Sequence, residues 1–518
     1  MAELLPALKQ THETYDTLSA TWQLLQQAYR GDGGFLDGTN LVPHPREILY
    51  KRNDDGSPST EEQGKKAKYT RRQQLARYEN FARAIVDTFL AYLFSKPAVR
   101  HAEGLPELEA WWQNVDGAGM HINDWMLQQQ ALACVYGHIV VLMDRVPTPV
   151  AAPRTKAEQG QPILRCYGPL DVLDWLWDKG RYQGLKVVDA VPRTDLLSTA
   201  DADADTYLVW TPETWQRYSD EGVLIDEGAH GCGVVPAEIH RARLVPGMPD
   251  VGASVLGDPK LFQDHYNLLS ELREMLRGQV FSMLNIQLGA DEEVGAARGR
   301  LGDSASVETI VFSKGPAEFI QPDKGPAEVY EAELLALERK IYRLAGLPWD
   351  GDSRDAESAD SRRLKAQDLN RALALYADEA ERVEYALVEL WYRTTTGVTE
   401  QAAIDAALEK VLIRYPDEFG TLDIAQTAAD VRDTVTANLG QTATAEIKKR
   451  AVRTILTDAD EAMLTKIDGE IDALGARLAQ QQAQAQPGSP SAFRQRVTEA
   501  APIAPTAGVQ PMPEAAQA

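Results

Sequence analysis

Carboxylates are the side chains most often placed for chemistry in this 518-residue chain, and they fall into three groups. Asp171, Asp174 and Asp178 lie in a tryptophan-rich stretch, LDVLDWLWD. Acid–base hydrolysis needs two carboxylates held at a set separation, and the sequence singles out no pair among them. Asp201, Asp203 and Asp205 (DADAD) resemble the start of a calcium loop. Such a loop needs glycine at its sixth position and glutamate at its twelfth, where Thr206 and Pro212 stand, so a solvated acidic loop is the simpler reading. Asp350, Asp352 and Asp355 in WDGDSRDAES could gather a cation; as an exposed loop they would instead cap the next helix through Asp355 or Ser358. Nucleotide hydrolysis has no support. Gly64-Lys65 has Ser59 where the first P-loop glycine belongs and Lys66 where Ser or Thr is required. G-x-S-x-G and H-E-x-x-H are absent, and His230 and His240 lack ligand spacing. The expectation is a chain with no catalytic residues, no metal and no cofactor.

Cations cluster locally: Lys65, Lys66, Lys68, Arg71, Arg72 and Arg77; Arg362, Arg363 and Lys365; Lys448, Lys449, Arg450 and Arg453. Such runs are usually solvated faces. The second carries more weight, because it opens a long helix directly after the acidic break that holds Arg354. The net charge is −24. Binding to phosphate through a bulk field needs the opposite sign, which argues against a repressor or packing protein but not against a wall along which DNA slides. The pairs Trp111–Trp112, Trp175–Trp177 and Trp210–Trp215 could stack bases; on alternating strands they read as core anchors. The three cysteines, Cys134, Cys166 and Cys232, form no C-x-x-C pair, so a reducing cytoplasm is expected. Neither a membrane span nor a secretory signal is expected.

The elements that would position these residues read from periodicity. Thr17–Tyr29 has helical spacing and stops before glycines. Tyr78, Phe81, Ile85, Phe89 and Tyr92 mark one face of a helix that Pro97 ends. Another helix runs from an N-cap at Asn123 to Tyr136, with Gly137 as its stop. HIVVLMDRV then begins a run of short strands, through ILRCYGPLDVLDWLW, GLKVVDAV, TYLVWTPETWQRYS and GVLIDEG. No helix separates them, so an antiparallel meander is expected. Phe262, Tyr266, Leu269, Leu272, Leu276 and Val280 predict a helix from Asp258 to Leu284. The strands ETIVFS and AEFIQP follow. Two seamed helices come next, one with Tyr330, Leu334, Leu337, Ile341 and Leu344, the other with Leu369, Leu373, Tyr376, Ala380, Val383, Leu387 and Leu390. Short helices fill 420–474, and from Ala479 the Gln/Ala/Pro composition predicts disorder.

This order of pieces resembles the portal, or head–tail connector, family of tailed bacteriophages. The likeness is carried between Leu261 and Tyr392 by ETIVFSKGPAEFIQP, ALERKIYRLAGLP and AESADSRRLKAQDLN, and earlier by RYENFARAIVDTFLAYLFSKP. It spans about residues 15–480. The resemblance implies an α+β, mainly helical portal fold. Its parts would be an N-terminal wing (1–257, helices then a β meander), a stem helix (258–284), a clip (285–328), a second stem helix (329–346) and a tunnel loop (347–361). A long wing helix with its following segment (357–419), a helical crown (420–478) and a disordered tail (479–518) would complete it.

By the same resemblance the chain is a non-enzymatic virion protein. It would form a homo-oligomeric ring, a dodecamer, at the portal vertex of a capsid assembled in the bacterial cytoplasm. Double-stranded DNA would pass through the ring during packaging and ejection. Asp350, Asp352, Arg354, Asp355, Arg362, Arg363 and Lys365 would face that channel, and Lys314, Glu318 and Lys324 in the clip would dock partners. Those partners are the terminase large subunit, major capsid and scaffolding proteins, and head–tail adaptor or neck proteins; no membrane is involved. A carboxylate-dependent hydrolase, or another capsid-associated adaptor or scaffold, are the alternatives.

Overall fold

The computed structural model describes residues 4–44, 69–145, 160–190, 205–280, 283–287, 310–313, 318–320, 325–347, 359–416, 419, 444–449, 452 and 461–485. The chain divides into two compact units, Met1–Phe419 and Gly420–Ala518. Helices and mostly antiparallel sheets both contribute, so the fold class is α+β.

The first unit opens with helices α1 (Leu4–Lys9), α2 (Glu13–Arg30), α3 (Gly34–Asp37), α4 (Phe81–Leu93), α5 (Pro106–Trp112) and α6 (Ile122–Tyr136). Their ends follow local chemistry. His12 Nδ1 accepts from the Thr14 amide at 3.2 Å to start α2, and Gly31, with φ 68°, ends it by donating to Gln27 O at 2.8 Å. Asn80 Oδ1 accepts from the Arg83 amide at 2.8 Å to start α4. The buried face of α4 is Ala82, Ile85, Val86, Phe89, Leu90 and Leu93, wider than the spacing from Tyr78 suggests. At α6 the cap is His121, whose Nδ1 accepts from Asn123 N–H, rather than Asn123 itself.

Strand β1 (Val99–Ala102) lies between α4 and α5, and β2 (His138–Arg145) follows α6. Strand β2 is buried on both faces, and its alternation divides two cores. Ile139, Val141 and Met143 join the helical core; Val140 and Leu142 join a second core against the meander. Strands β3 (Pro162–Tyr167) and β9 (Ala237–Arg241) flank β2, both antiparallel. Of the expected meander, the later strands form a five-stranded antiparallel sheet of β4 (Val172–Asp178), β5 (Arg181–Ala190), β6 (Asp205–Trp210), β7 (Thr214–Tyr218) and β8 (Leu224–Ala229), in that order, whereas its first two, β2 and β3, belong to the separate sheet with β9. Lys179 and Gly180, with φ 51° and 78°, make the two-residue turn between β4 and β5. Of the three tryptophan pairs, Trp111, Trp112, Trp175 and Trp210 are buried core anchors, while Trp177 and Trp215 are half-buried at its edge. A ribbon of β10 (Leu244–Val245) and β11 (Met248–Gly252) brings Gly252 against Gly137, where neither residue has room for a side chain.

Helix α7 (Lys260–Val280) then leaves the sheet region. Its apolar stripe runs to its last residue, Val280, but the helix ends short of the expected Leu284, because Met283–Gln287 is strand β12. Strand β12 is central in a three-stranded sheet, parallel to β13 (Ile310–Ser313) and antiparallel to β14 (Glu318–Ile320). The expected pair of strands is thus split by a third, which begins within the span expected for the helix. Helix α8 (Gly325–Ala345) returns, and α9 (Ala359–Thr396) is 38 residues long, about 57 Å at 1.5 Å per residue. All of Leu369, Leu373, Tyr376, Ala380, Val383, Leu387 and Leu390 are buried, as their spacing predicts. On α8, Leu334, Leu337 and Ile341 are buried, but Ala345 takes the inward place expected for Leu344. Helix α10 (Gln401–Leu408) and β15 (Val411–Arg414), paired with β1, close the unit.

In the second unit, α11 (Glu461–Ala485) carries Asp472, which pairs with Lys449 at 2.7 Å. The helix continues past Ala479, where composition predicts disorder. Gln and Ala are good helix formers, which favours local helix there.

Candidate functional site

Two elements hold the residues singled out in the sequence: the α7–α8 hairpin with its small sheet, and the start of α9. The hairpin is antiparallel, and its register can be read from named contacts. Gly257 faces Leu344, His265 Nε2 lies 3.6 Å from Glu338 Oε1, and Tyr330 OH donates to Glu271 Oε2 at 3.0 Å. Leu269, Leu272 and Leu334 form a small apolar cluster between the helices. Each helix has 21 residues, so the hairpin is about 32 Å long. Beside it, Val42, Asp264, Asn267, Glu271, Glu333 and Leu337 line a hollow of about 410 Å³. Burial, and then the charge of Glu271, push the Tyr330 hydroxyl up from its ordinary range.

Helix α9 is the spine to which the sheets are tied. Arg382 donates to Glu238 Oε1 at 2.6 Å and to Ile239 O at 2.8 Å on β9. Arg181 on β5 holds both Glu389 oxygens at 2.9 Å, and Arg393 meets the same carboxylate at 2.8 Å. Arg243 Nε donates to Tyr376 OH at 2.6 Å. The deepest knot joins β1 to α9. Arg100 forks onto Glu384, with Nη2 to Oε2 at 2.8 Å; Tyr415 OH donates to the same oxygen at 2.9 Å, and Arg100 also donates to Asn123 Oδ1. Burial pushes the Arg100 guanidinium down, but the hydrogen bond and charge of Glu384 outweigh it and hold Arg100 above its ordinary value. Burial, then the Glu384 charge, raise the Tyr415 hydroxyl far above the usual tyrosine range. The knot therefore favours charged Arg100 beside a neutral phenol.

The residues singled out in the sequence are placed unevenly. Arg362, Arg363 and Lys365 fall in the first two turns of α9. There the helix dipole works against cations near the N-terminus, so helix stability does not account for three of them. Glu318 opens β14 at the hairpin tip. Asp350, Asp352, Arg354, Asp355, Lys314 and Lys324 lie outside the described residues. Leu347 belongs to the core at 6% exposure and α9 has begun by Ala359, so most of the segment 347–361 lies outside the described residues.

Two of the three carboxylates considered for hydrolysis have structural partners, and Asp178 is exposed. Asp174 pairs with Lys186 at 3.3 Å, and Asp171 accepts from the Gly168 amide at 3.2 Å. His240 is fully buried, with Nε2 2.8 Å from Gln130 Oε1, and His230 Nε2 lies 2.8 Å from Thr211 O. Cys134, Cys166 and Cys232 are free thiols; burial raises Cys134 to about 12, so it is inert as a nucleophile at neutral pH. Among the described residues no helix is long and apolar enough to cross a membrane. The buried Arg100–Glu384 pair and a cluster of Glu79, His265 and Glu338 escaped the sequence reading, because their members are distant in sequence and share no motif.

No family model matches the chain, and no curated protein does. Among solved structures, it is similar to a chain in the neck of a native GTA particle computed with C12 symmetry, with TM-score 0.33 and 10% identity over 75% of this chain and 89% of that one. A chain in the virion of the native gene transfer agent particle gives TM-score 0.32 and 14% identity, covering 69% of this chain and 84% of that one. A chain in the neck of the empty GTA particle computed with C6 symmetry gives TM-score 0.35 and 12% identity, covering 68% and 84%. Likenesses of this depth leave function to be argued from the chain itself.

Proposed function

We propose that this chain is the subunit of a phage portal ring that conducts double-stranded DNA through one capsid vertex and breaks no bond itself. The observation that carries this reading is the antiparallel hairpin of two 21-residue helices, tipped by a small sheet and followed by a 38-residue helix. In this reading α7 and α8 are the stem, β12–β14 belong to the clip, the expected tunnel loop (347–361) borders the channel, and α9 is the wing helix that anchors the stem to the sheets.

Two physical points favour it. Subunits with net charge −24 set around a pore make a wall that repels phosphate, so a duplex slides rather than sticks. Arg362, Arg363 and Lys365, placed against the dipole of α9, would supply brief phosphate contacts where the channel is narrowest. Terminase, capsid, scaffolding and neck proteins would meet the ring from outside, with Lys314, Glu318 and Lys324 at the terminase-facing tip.

The test is the combined substitution Arg362→Gln, Arg363→Gln and Lys365→Gln in an assembled packaging system. Packaged DNA should fall at least several-fold while the ring keeps its size. Unchanged packaging would remove these residues from the channel, and an altered ring would make them assembly residues instead.

A further inference from the structure

Three side chains from separate parts of the chain converge beside the stem hairpin: Glu79 just before α4, His265 on α7 and Glu338 on α8. Their ligand atoms all lie within 4.8 Å of one another. His265 is only 2% exposed, and among the described residues its Nε2 has no hydrogen-bond partner; Glu338 Oε1 lies 3.6 Å away. A buried ring nitrogen left without a partner is costly. Its orientation is held by the edge of Phe81, whose ring centroid lies 4.9 Å away at 84°. The nearby cation is Arg273, whose Nη2 is 4.0 Å from Glu79 Oε1 and which is partly exposed.

We propose that Glu79, His265 and Glu338 form a site for a first-row divalent metal ion of the zinc class, which clips the stem hairpin to the start of α4. The donor set selects the metal. One imidazole nitrogen with two carboxylate oxygens suits zinc and its neighbours, whereas calcium and magnesium take all-oxygen sets. Three protein ligands leave a fourth tetrahedral position for water. Bonds of about 2.0–2.2 Å require the ligand atoms to draw together by roughly an ångström or more. Glu79 is exposed and Glu338 half-buried, so both can swing; His265 supplies the fixed point. Without a metal the two carboxylates oppose each other. A bound dication would satisfy the orphan nitrogen and offset the carboxylate repulsion together.

This site stands apart from the ring reading, because all three ligands belong to one chain and binding is read whatever the oligomer. The experiment is titration of chelator-treated full-length protein with zinc chloride by calorimetry, and with cobalt chloride by visible absorption. Wild type should bind one equivalent per chain, with cobalt bands of four- or five-coordinate intensity. Glu79→Gln and Glu338→Gln should each weaken zinc at least ten-fold and abolish those bands. Zinc should raise the melting temperature of wild type but of neither variant. Glu79 is exposed, so its variant decides the matter even if Glu338→Gln fails to fold. Absence of saturable binding below about 100 µM zinc, or equal binding by wild type and Glu79→Gln, would overturn the proposal; zinc Kd values for built sites lie far below that limit.

Discussion

Replacing Glu384 with glutamine should expose how strongly α9 is locked to β1. Glu384 is fully buried and the Arg100 side chain is 7% exposed, so the substitution removes one charge of a desolvated pair and leaves the other behind. Breaking such a pair costs about 3–5 kcal/mol. Here Arg100 keeps Asn123 Oδ1, Ala98 O at 3.4 Å and Tyr415 OH at 3.3 Å, and Tyr415 can still donate to an amide oxygen. The lower end, about 3 kcal/mol, is therefore expected. Arg100→Met should cost at least as much, since it strands a carboxylate at zero exposure. In the double variant no charge remains, so the costs should fall short of additive by about 2 kcal/mol or more. Urea unfolding followed by tryptophan fluorescence is a clean assay, because all ten tryptophans lie in the unit Met1–Phe419. A cost below about 1 kcal/mol for Glu384→Gln, or additivity within about 0.5 kcal/mol, would refute the reasoning.

Two further outcomes follow from the buried groups. Burial lowers His138 and His240 to about 4, against an ordinary 6.5. The unfolded chain binds those protons first, so their stabilisation is complete above pH 6.5 and is lost as pH falls toward 4, by on the order of 3 kcal/mol each. Urea midpoints measured from pH 7 to 4.5 should drop steeply across that window, and a flat profile would contradict it. Asp250 and Arg241 face His138, while Glu379, Arg382 and Arg241 face His240, so the observed midpoint will belong to these clusters. Gly137→Ala should be strongly destabilising, by about 2 kcal/mol or more. Its φ is 96°, and a methyl group would sit 2.3 Å from Gly252 O; a melting temperature within a degree of wild type would disprove the close approach.

Elements whose burial repeats along one helix were legible from the sequence. The seam from Leu369 to Leu390 is buried at every expected position, since α9 packs along its length. The meander was legible too, because β-branched runs separated by turns leave few other pairings. Legibility failed where tertiary context decides. Met283–Gln287 pairs with strands whose partners lie beyond a long insertion, and its apolar content continues the stripe of α7. Leu344 and Ala345 exchange roles because the end of α8 packs near Arg243 and Gly257, which nothing local announces. His121 captured the cap of α6 ahead of Asn123, whose side chain is engaged by Arg100. The candidate site divides the same way: the cation run at the start of α9 is visible as a string, whereas Glu79, His265 and Glu338 meet only once the hairpin has folded.

Direct imaging of purified full-length protein by electron microscopy, with particle mass measured across concentration and ionic strength, puts the central claim to its hardest trial. The account predicts closed rings with a central opening wide enough for a duplex and the α7–α8 hairpins arranged around it. Single chains under every condition, or assemblies without an axial opening, would contradict it.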